Sequence, residues 1–219
     1  MRCFPEPTEV TIAHSARIGK GAILGVPHET RLTSREPTEE EGRFCNRVVR
    51  IGERTIIGPY VTIFEGVNIG DDVIIEQYSS IGADTRIGTR TRICYRAWIC
   101  DSVEIEDDCV VGGFVCDEAF VGKGSRIFGN VVHEQSRPHL GWWEVNERAP
   151  KIRDHSFVGF GASVVGGISV GPSSYICAGA LVTKDVPPLT VVKGINECVP
   201  ASEWTGGRLQ ALVQSWRCP

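Results

Sequence analysis

The chain has 219 residues, 42% of them hydrophobic, with a formal net charge of -4 and a pI near 5.8. That acidic balance argues against nucleic acid or an anionic membrane as partner, since both reward a basic face, and no apolar run approaches the length of a membrane helix. The opening Met1-Arg-Cys-Phe-Pro-Glu-Pro lacks the apolar stretch of a secretory signal, so a cytoplasmic single domain is expected.

A six-residue period begins at Ile12, Ile18 and Leu24. It is interrupted by a charged insertion over about 25–50, which carries Glu39-Glu-Glu and several arginines and reads as a flap, solvated or set against a neighbouring subunit. From Ile51 the period is strict: isoleucine stands at 51, 57, 63, 69, 75, 81, 87, 93, 99 and 105. Neither a helix nor a simple strand repeats every six residues, whereas a hexapeptide period marks a parallel β-helix, each unit forming one side of a prism. Three units close a triangular turn, so residues eighteen apart stack: Ile51 on Ile69, Ile87 and Ile105. Each coil then rises about 4.8 Å above the last. The fifth position of each unit is small or β-branched (Thr55, Val61, Val67, Val73, Ser79, Thr85, Thr91, Ala97, Val103, Cys109) and is expected inside. Gly52, Gly58, Gly70, Gly82 and Gly88 follow the isoleucine and are expected at corners that need permissive backbone angles.

After Val111 a four-residue slip moves the frame to Val115, Val121 and Ile127. Asp117 and Glu118 lie just beyond the slip, where a bulged corner would aim a carboxylate either at a substrate amine or at water. A second insertion, His133 to about Pro150, reads His-Glu-Gln-Ser-Arg-Pro-His-Leu-Gly-Trp-Trp-Glu-Val-Asn-Glu-Arg-Ala-Pro. Loops of this length within a compact domain are usually functional, and Trp142 and Trp143 need a surface to bury against, a ligand or a neighbouring subunit. Arg137 and Arg148 are candidates to steady an anionic group. The period returns at Ile152, Val158, Val164, Val170, Ile176 and Val182. Residues 1–200 therefore form the β-helix domain, and 201–219, with Leu209, Leu212, Val213 and Trp216 at helical spacing, form a short helix capping its open end. Function is expected in the insertions and the surfaces beside them, since the coils themselves are occupied with packing.

The nine cysteines are read as free thiols that fill space. No two stand eighteen apart, so no ladder is expected, and no C-x-x-C metal motif occurs.

The runs Ile69-Gly-Asp-Asp-Val-Ile, Val158-Gly-Phe-Gly-Ala-Ser and Ile176-Cys-Ala-Gly-Ala-Leu-Val-Thr-Lys-Asp-Val-Pro-Pro resemble the hexapeptide-repeat acyltransferases, from about Ile12 to about Val192. The last run is similar to the sugar O- and N-acetyltransferase branch of that family. The resemblance implies a left-handed parallel β-helix, all-β but for the terminal helix. It also implies a homotrimer with acetyl-CoA, the co-substrate, in the cleft between neighbouring prisms. The acceptor would be a hydroxyl or amino group of a sugar or sugar nucleotide, with direct transfer and no acyl-enzyme. On that reading Gly161, Ala162, Gly179 and Ala180 keep the cleft wall low and offer backbone groups to the pantetheine arm, while Lys184 and Lys193 meet the CoA phosphates. A base is needed for the acceptor's proton, and histidine titrates near the working pH. His133 is the first candidate, since its backbone is anchored where the loop leaves the scaffold, and His139 the second. Glu134, Glu144 or Glu147 is expected to orient the base, with a backbone N–H near Gly161 for an oxyanion. Arg137, Trp142, Trp143 and Asp117 are the substrate-binding candidates; no metal site is expected. Two other readings stand beside this one. A γ-type carbonic anhydrase needs three histidines around zinc, for which His133 and His139 lack a convincing third. A non-catalytic β-helix module is opposed by the carboxyl-terminal segment and the histidine-bearing loop.

Overall fold

A computed structural model describes residues 8–28, 47–134 and 147–203. Short strands of two to four residues follow one another around a triangular prism, and each pairs in parallel with the strand one coil away. The first face stacks eight strands from Val10–Ile12 to Ser169–Val170, and the third stacks eight from Ile23–Val26 to Leu181–Val182. The second face has ten, from Arg17–Ile18 to Thr190–Lys193, closed by the antiparallel Glu197–Pro200. Ile51 pairs with Ile69, Ile69 with Ile87 and Ile87 with Ile105, so the eighteen-residue stacking is observed. The fold is the parallel β-helix, left-handed as in the family to which its repeats conform.

The interior is a single column of aliphatic side chains. All ten periodic isoleucines from Ile51 to Ile105 are at most 3% exposed, and every fifth-position residue from Thr55 to Cys109 is buried beside them. Burying one such isoleucine contributes about 1.5–3 kcal/mol. The buried hydroxyls are not orphaned. Thr55 Oγ1 donates to the Gly70 carbonyl (2.8 Å) and accepts from Val73 N (3.2 Å), and Thr91 makes the same pair of bonds with Glu106 O and Cys109 N. Each stitches one coil to the next, which makes threonine as suitable there as valine.

The glycine expectation needs correction. None of Gly52, Gly58, Gly70, Gly82 and Gly88 has a positive φ; that conformation falls two residues later, on Arg54, Tyr60, Asp72, Asp84 and Arg90 (φ 56–57°). Glycine follows the isoleucine because the next coil passes too close for a side chain: a Cβ on Gly52 would lie 2.6 Å from the Gly70 carbonyl carbon, and one on Gly58 2.7 Å from Gln77 N. The left-handed positions are instead held by pairing between coils. Arg54 forks onto Asp72 (2.6 and 2.7 Å) and Arg90 onto Asp108 (2.6 and 3.0 Å), and these hydrogen bonds hold both carboxyls below their ordinary range.

The slip after Val111 is a four-residue side, Val111 to Val115, and it occurs twice. Ile127 to Val131 is equally short, so Ile99 pairs with Val115 and Val115 with Val131 at sixteen residues rather than eighteen. Two stacked short corners between the second and third faces leave a notch in the prism edge. Gly113 sits there so close to Gly129 that a Cβ would enter the van der Waals envelope of the Gly129 carbonyl oxygen. Gly113→Ala is therefore expected to destabilise the protein by about 1–3 kcal/mol through overpacking, read as a lowered urea midpoint with an unchanged m-value.

The shortened coils also overturn the expectation that no cysteines stack. Cys100 follows Ile99 and Cys116 follows Val115, which are register partners, so the two thiols are neighbours on adjacent coils. Burial pushes the Cys116 thiol up to about 12 and raises Cys100 further, as expected of inert fillers. At the carboxyl end the prism is closed by the hairpin of Thr190–Lys193 with Glu197–Pro200 and the 3-10 turn Ala201–Glu203. The helix expected over 201–219 lies, past Glu203, outside the described residues.

Candidate active site

Both insertions leave the prism at one edge. The first departs after Ile23–Val26 on the third face and rejoins at Val49–Ile51 on the first; the second departs after Asn130–Val132 on the third and rejoins at Lys151–Ile152 on the first. Along this edge the residue two beyond each third-face rung forms a vertical row: Glu65, Ala83, Asp101, Asp117 and His133. A cavity of about 870 Å³ opens here and extends over the outer surface of the third face, lined among others by His28, Trp98, Asp101, Phe114, Asp117 and His133.

Hydrogen bonds run up the row. Asp101 Oδ1 accepts from Ala83 N (2.7 Å), and Asp117 Oδ1 accepts from Asp101 N (2.8 Å). His133 Nε2 lies 2.9 Å from the Asp117 carbonyl oxygen. A carbonyl only accepts, so Nε2 must carry the proton, and in the neutral ring the basic lone pair is then on Nδ1. The structure thus gives His133 what a general base needs: a half-buried ring, a fixed tautomer and a place on the cavity wall. Its orientation comes from the Asp117 backbone rather than from Glu134, which is exposed and lies against Gly166. Asp117 does not present a carboxylate wholly to a ligand as expected, because one oxygen is committed to Asp101 N. His139, Arg137, Trp142, Trp143 and Glu144 lie outside the described residues.

Two features escaped sequence reasoning. His28 is brought three coils along the edge, from the coil of Leu24 to that of Ile99, to meet Asp101, Nε2 to Oδ2 2.8 Å. Trp98, 60% exposed, stands on the scaffold and meets Phe114 edge to face at 5.3 Å, giving the cavity an aromatic floor. The pairing of Trp98 with Phe114 follows from the sixteen-residue offset, so the frame slip was the signal that placed both.

Of the residues expected to form the cofactor wall, Gly161, Ala162, Gly179 and Ala180 lie on the other edge of the third face, where the second face meets it, whereas Lys184, two beyond the third-face Val182, stands on the His133 edge. Gly161 and Gly179 occupy the left-handed corner position that Tyr60, Tyr78 and Arg96 hold in lower coils, with φ of 68° and 71°. A Cβ on either would meet nothing within 4 Å. Since side chains are tolerated in this conformation below, neither backbone strain nor packing accounts for the bare corner. In other coils the N–H at this position donates one coil down, Tyr78 to Pro59 O (3.2 Å) and Gly179 to Phe160 O (3.0 Å). The coil beneath Gly161 is short, and among the described residues the Gly161 N–H donates to no protein acceptor. Phe160, 69% exposed, stacks on Phe128 at 4.8 Å beside it. Ala162 and Ala180 face inward and are buried, and their N–H groups already donate to Gly159 O and Cys177 O (both 3.1 Å), so the amides of these two alanines are not available to a ligand. Lys184 is exposed; Lys193 pairs with Glu197 at 3.0 Å and is not a bare charge.

Among the described residues no group of three His, Cys, Asp or Glu side chains is placed to hold a metal ion, and no helix is long and apolar enough to cross a membrane.

Coils of this period, bearing an edge cavity with a fixed histidine, define a hexapeptide-repeat protein, and the chain belongs to the hexapeptide-repeat acyltransferase family. The family described as "Hexapeptide repeat of succinyl-transferase" matches residues 48–76, 79–113 and 151–184. The bifunctional protein GlmU of Heliobacterium modesticaldum is 30% identical over 230 residues, covering 84% of this chain and 50% of that protein. GlmU of Geobacillus sp. (strain WCH70) is 29% identical over 171 residues, covering 66% of this chain and 37% of that protein. The chain thus spans between about a third and a half of the length of these relatives. Among solved structures, the UDP-N-acetylglucosamine acyltransferase from Campylobacter jejuni aligns with 95% of this chain and 82% of its own, at 13% identity and a TM-score of 0.48.

Proposed function

We propose that the protein moves an acetyl group from acetyl-CoA directly to a hydroxyl or amino group of a sugar or sugar nucleotide. The observation that carries this reading is His133: an imidazole whose Nε2–H is spent on the Asp117 carbonyl, on the wall of a cavity with an aromatic floor. Aromatic faces suit the C–H face of a sugar ring or a nucleobase. The acceptor's N–H or O–H gives its proton to Nδ1 as the nucleophile attacks the thioester carbonyl carbon; the C–S bond breaks and CoA leaves.

The bare corner at Gly161 and Gly179 supports a pantetheine groove, and the unclaimed Gly161 N–H is suited to an oxyanion or an amide carbonyl. Lys184 is the cation nearest in sequence for a CoA phosphate, and Lys193 takes that role only by leaving Glu197. His133 and the bare corner stand on opposite edges of one face, so a thioester lying along the corner of one prism reaches the histidine edge of a neighbour. We accordingly assign a homotrimer working in the cytoplasm, with Arg137, Trp142, Trp143 and His139 of the second insertion completing the acceptor side. The test is incubation with acetyl-CoA and a panel of amino sugars, neutral sugars and their nucleotide derivatives, read by mass spectrometry. An acetylated acceptor supports the reading, and thioester left intact with every acceptor counts against it.

A further inference from the structure

Two histidines, one from each insertion, face the same cavity with different partners. His133 points Nε2 at a neutral carbonyl, whereas His28 points Nε2 at a carboxylate, Asp101 Oδ2 at 2.8 Å. The two are joined by a continuous row of hydrogen bonds: His28 to the Asp101 carboxylate, Asp101 N to the Asp117 carboxylate, and the Asp117 carbonyl to His133. A carboxylate beside an imidazole stabilises the protonated ring, and a carbonyl does so much less. Two imidazoles with partners of different charge are how a site can keep one acid and one base at the same pH.

We propose that His28, held by Asp101, is a second proton-transfer group of this site, acting as the acid that protonates the departing CoA sulfur while His133 acts as the base. The inference rests on the acetyl-transfer reading. In the balanced step the acceptor's proton goes to His133, the acceptor heteroatom bonds to the acetyl carbon, the C–S bond breaks, and the sulfur takes a proton from His28. The enzyme resets when His133 loses its proton and His28 regains one. The charged groups around His28 fit the role of acid. Among the described residues Asp101, Asp84 and Glu65 bring carboxyl groups to this stretch of the edge, where Arg47 is ion-paired with Asp84; Asp117 and His133 lie further along the row. Burial raises the Asp84 carboxyl, so its own contribution is weakened, and Asp101 is the partner in direct contact.

The first insertion then supplies a chemical group to the site through His28. The test that needs no acceptor is titration of the imidazole nitrogens by NMR in the intact protein, with signals assigned from His28→Gln and His133→Gln. His28 is expected to lose its proton at a pH lower by about one unit or more in Asp101→Asn than in the native protein. A His28 titration unchanged by Asp101→Asn overturns the proposal. With an acceptor in hand, His28→Gln is expected to lower kcat at least about tenfold, with KM for acetyl-CoA unchanged and the fall in kcat at high pH abolished. A kcat within twofold of the native protein, or a retained high-pH limb, likewise contradicts it. Failure of the native protein to bind CoA would sink the transfer reading and leave the titration result standing, so the two failures are separable.

Discussion

Gly179→Tyr is expected to leave the solenoid folded and to remove CoA binding. The corner it occupies is built for a side chain. Tyr60 and Tyr78 hold the same position in lower coils with φ of 56° and 63°, against 71° at Gly179, and their rings stack at 5.3 Å over the prism edge. A Cβ on Gly179 would meet nothing within 4 Å, so the substituted ring enters open space rather than the core. The thermal midpoint should therefore stay within about 3 °C of the native value. If the open space is the pantetheine groove, a tyrosine there fills it, and affinity for CoA should fall at least about a hundredfold, or about 2.8 kcal/mol. Calorimetric titration of the variant checks this. Native affinity in a folded Gly179→Tyr protein would move the cofactor away from this edge.

The second large effect is expected from His133→Ala. Removing a positioned general base costs about a hundredfold or more in turnover, and the loss should appear in kcat with acetyl-CoA affinity little changed, because the ring stands on the edge opposite the bare corner. The fold should tolerate the change: among the described residues the ring gives up a single hydrogen bond, to the Asp117 carbonyl, at a position that is half-buried. Steady-state kinetics with the acceptor found by screening would show it. Turnover near native levels would remove His133 from the chemistry and turn attention to the amine's own loss of a proton before binding.

The isoleucine column was readable because its spacing depends only on the coil, and burial of Ile57 through Ile105 follows from the period alone. The meaning of the glycines was not readable. A glycine demanded by a left-handed φ and one demanded by a neighbouring backbone look alike in a sequence, and only the stacked coil shows that Gly52 and Gly58 belong to the second kind. The repeat of the short corner at Ile127 to Val131 was hidden because Val131 and Val132 run straight into the second insertion. That omission carried others with it: with sixteen-residue offsets in place, Cys100 falls beside Cys116, Trp98 beside Phe114, and Asp101, Asp117 and His133 into one row.

The candidate site was half legible. His133 was found because it begins a long loop directly after a rung. His28 was passed over because the segment around it is dominated by charge and reads as solvated, although a signal existed. Counting rungs shows that the two insertions follow Leu24 and Val131, both on the third face, so the two loops emerge on one edge and their first histidines are candidates for one cavity. The partnership of His28 with Asp101 spans 73 residues and three coils, and no local pattern encodes it.

The central claim is that the prism serves a CoA thioester, and the most direct test is calorimetric titration of the purified protein with CoA. The account predicts saturable binding at one site per chain, weakened at least about a hundredfold by Gly179→Tyr and untouched by His133→Ala. No binding by protein shown to be folded would contradict it.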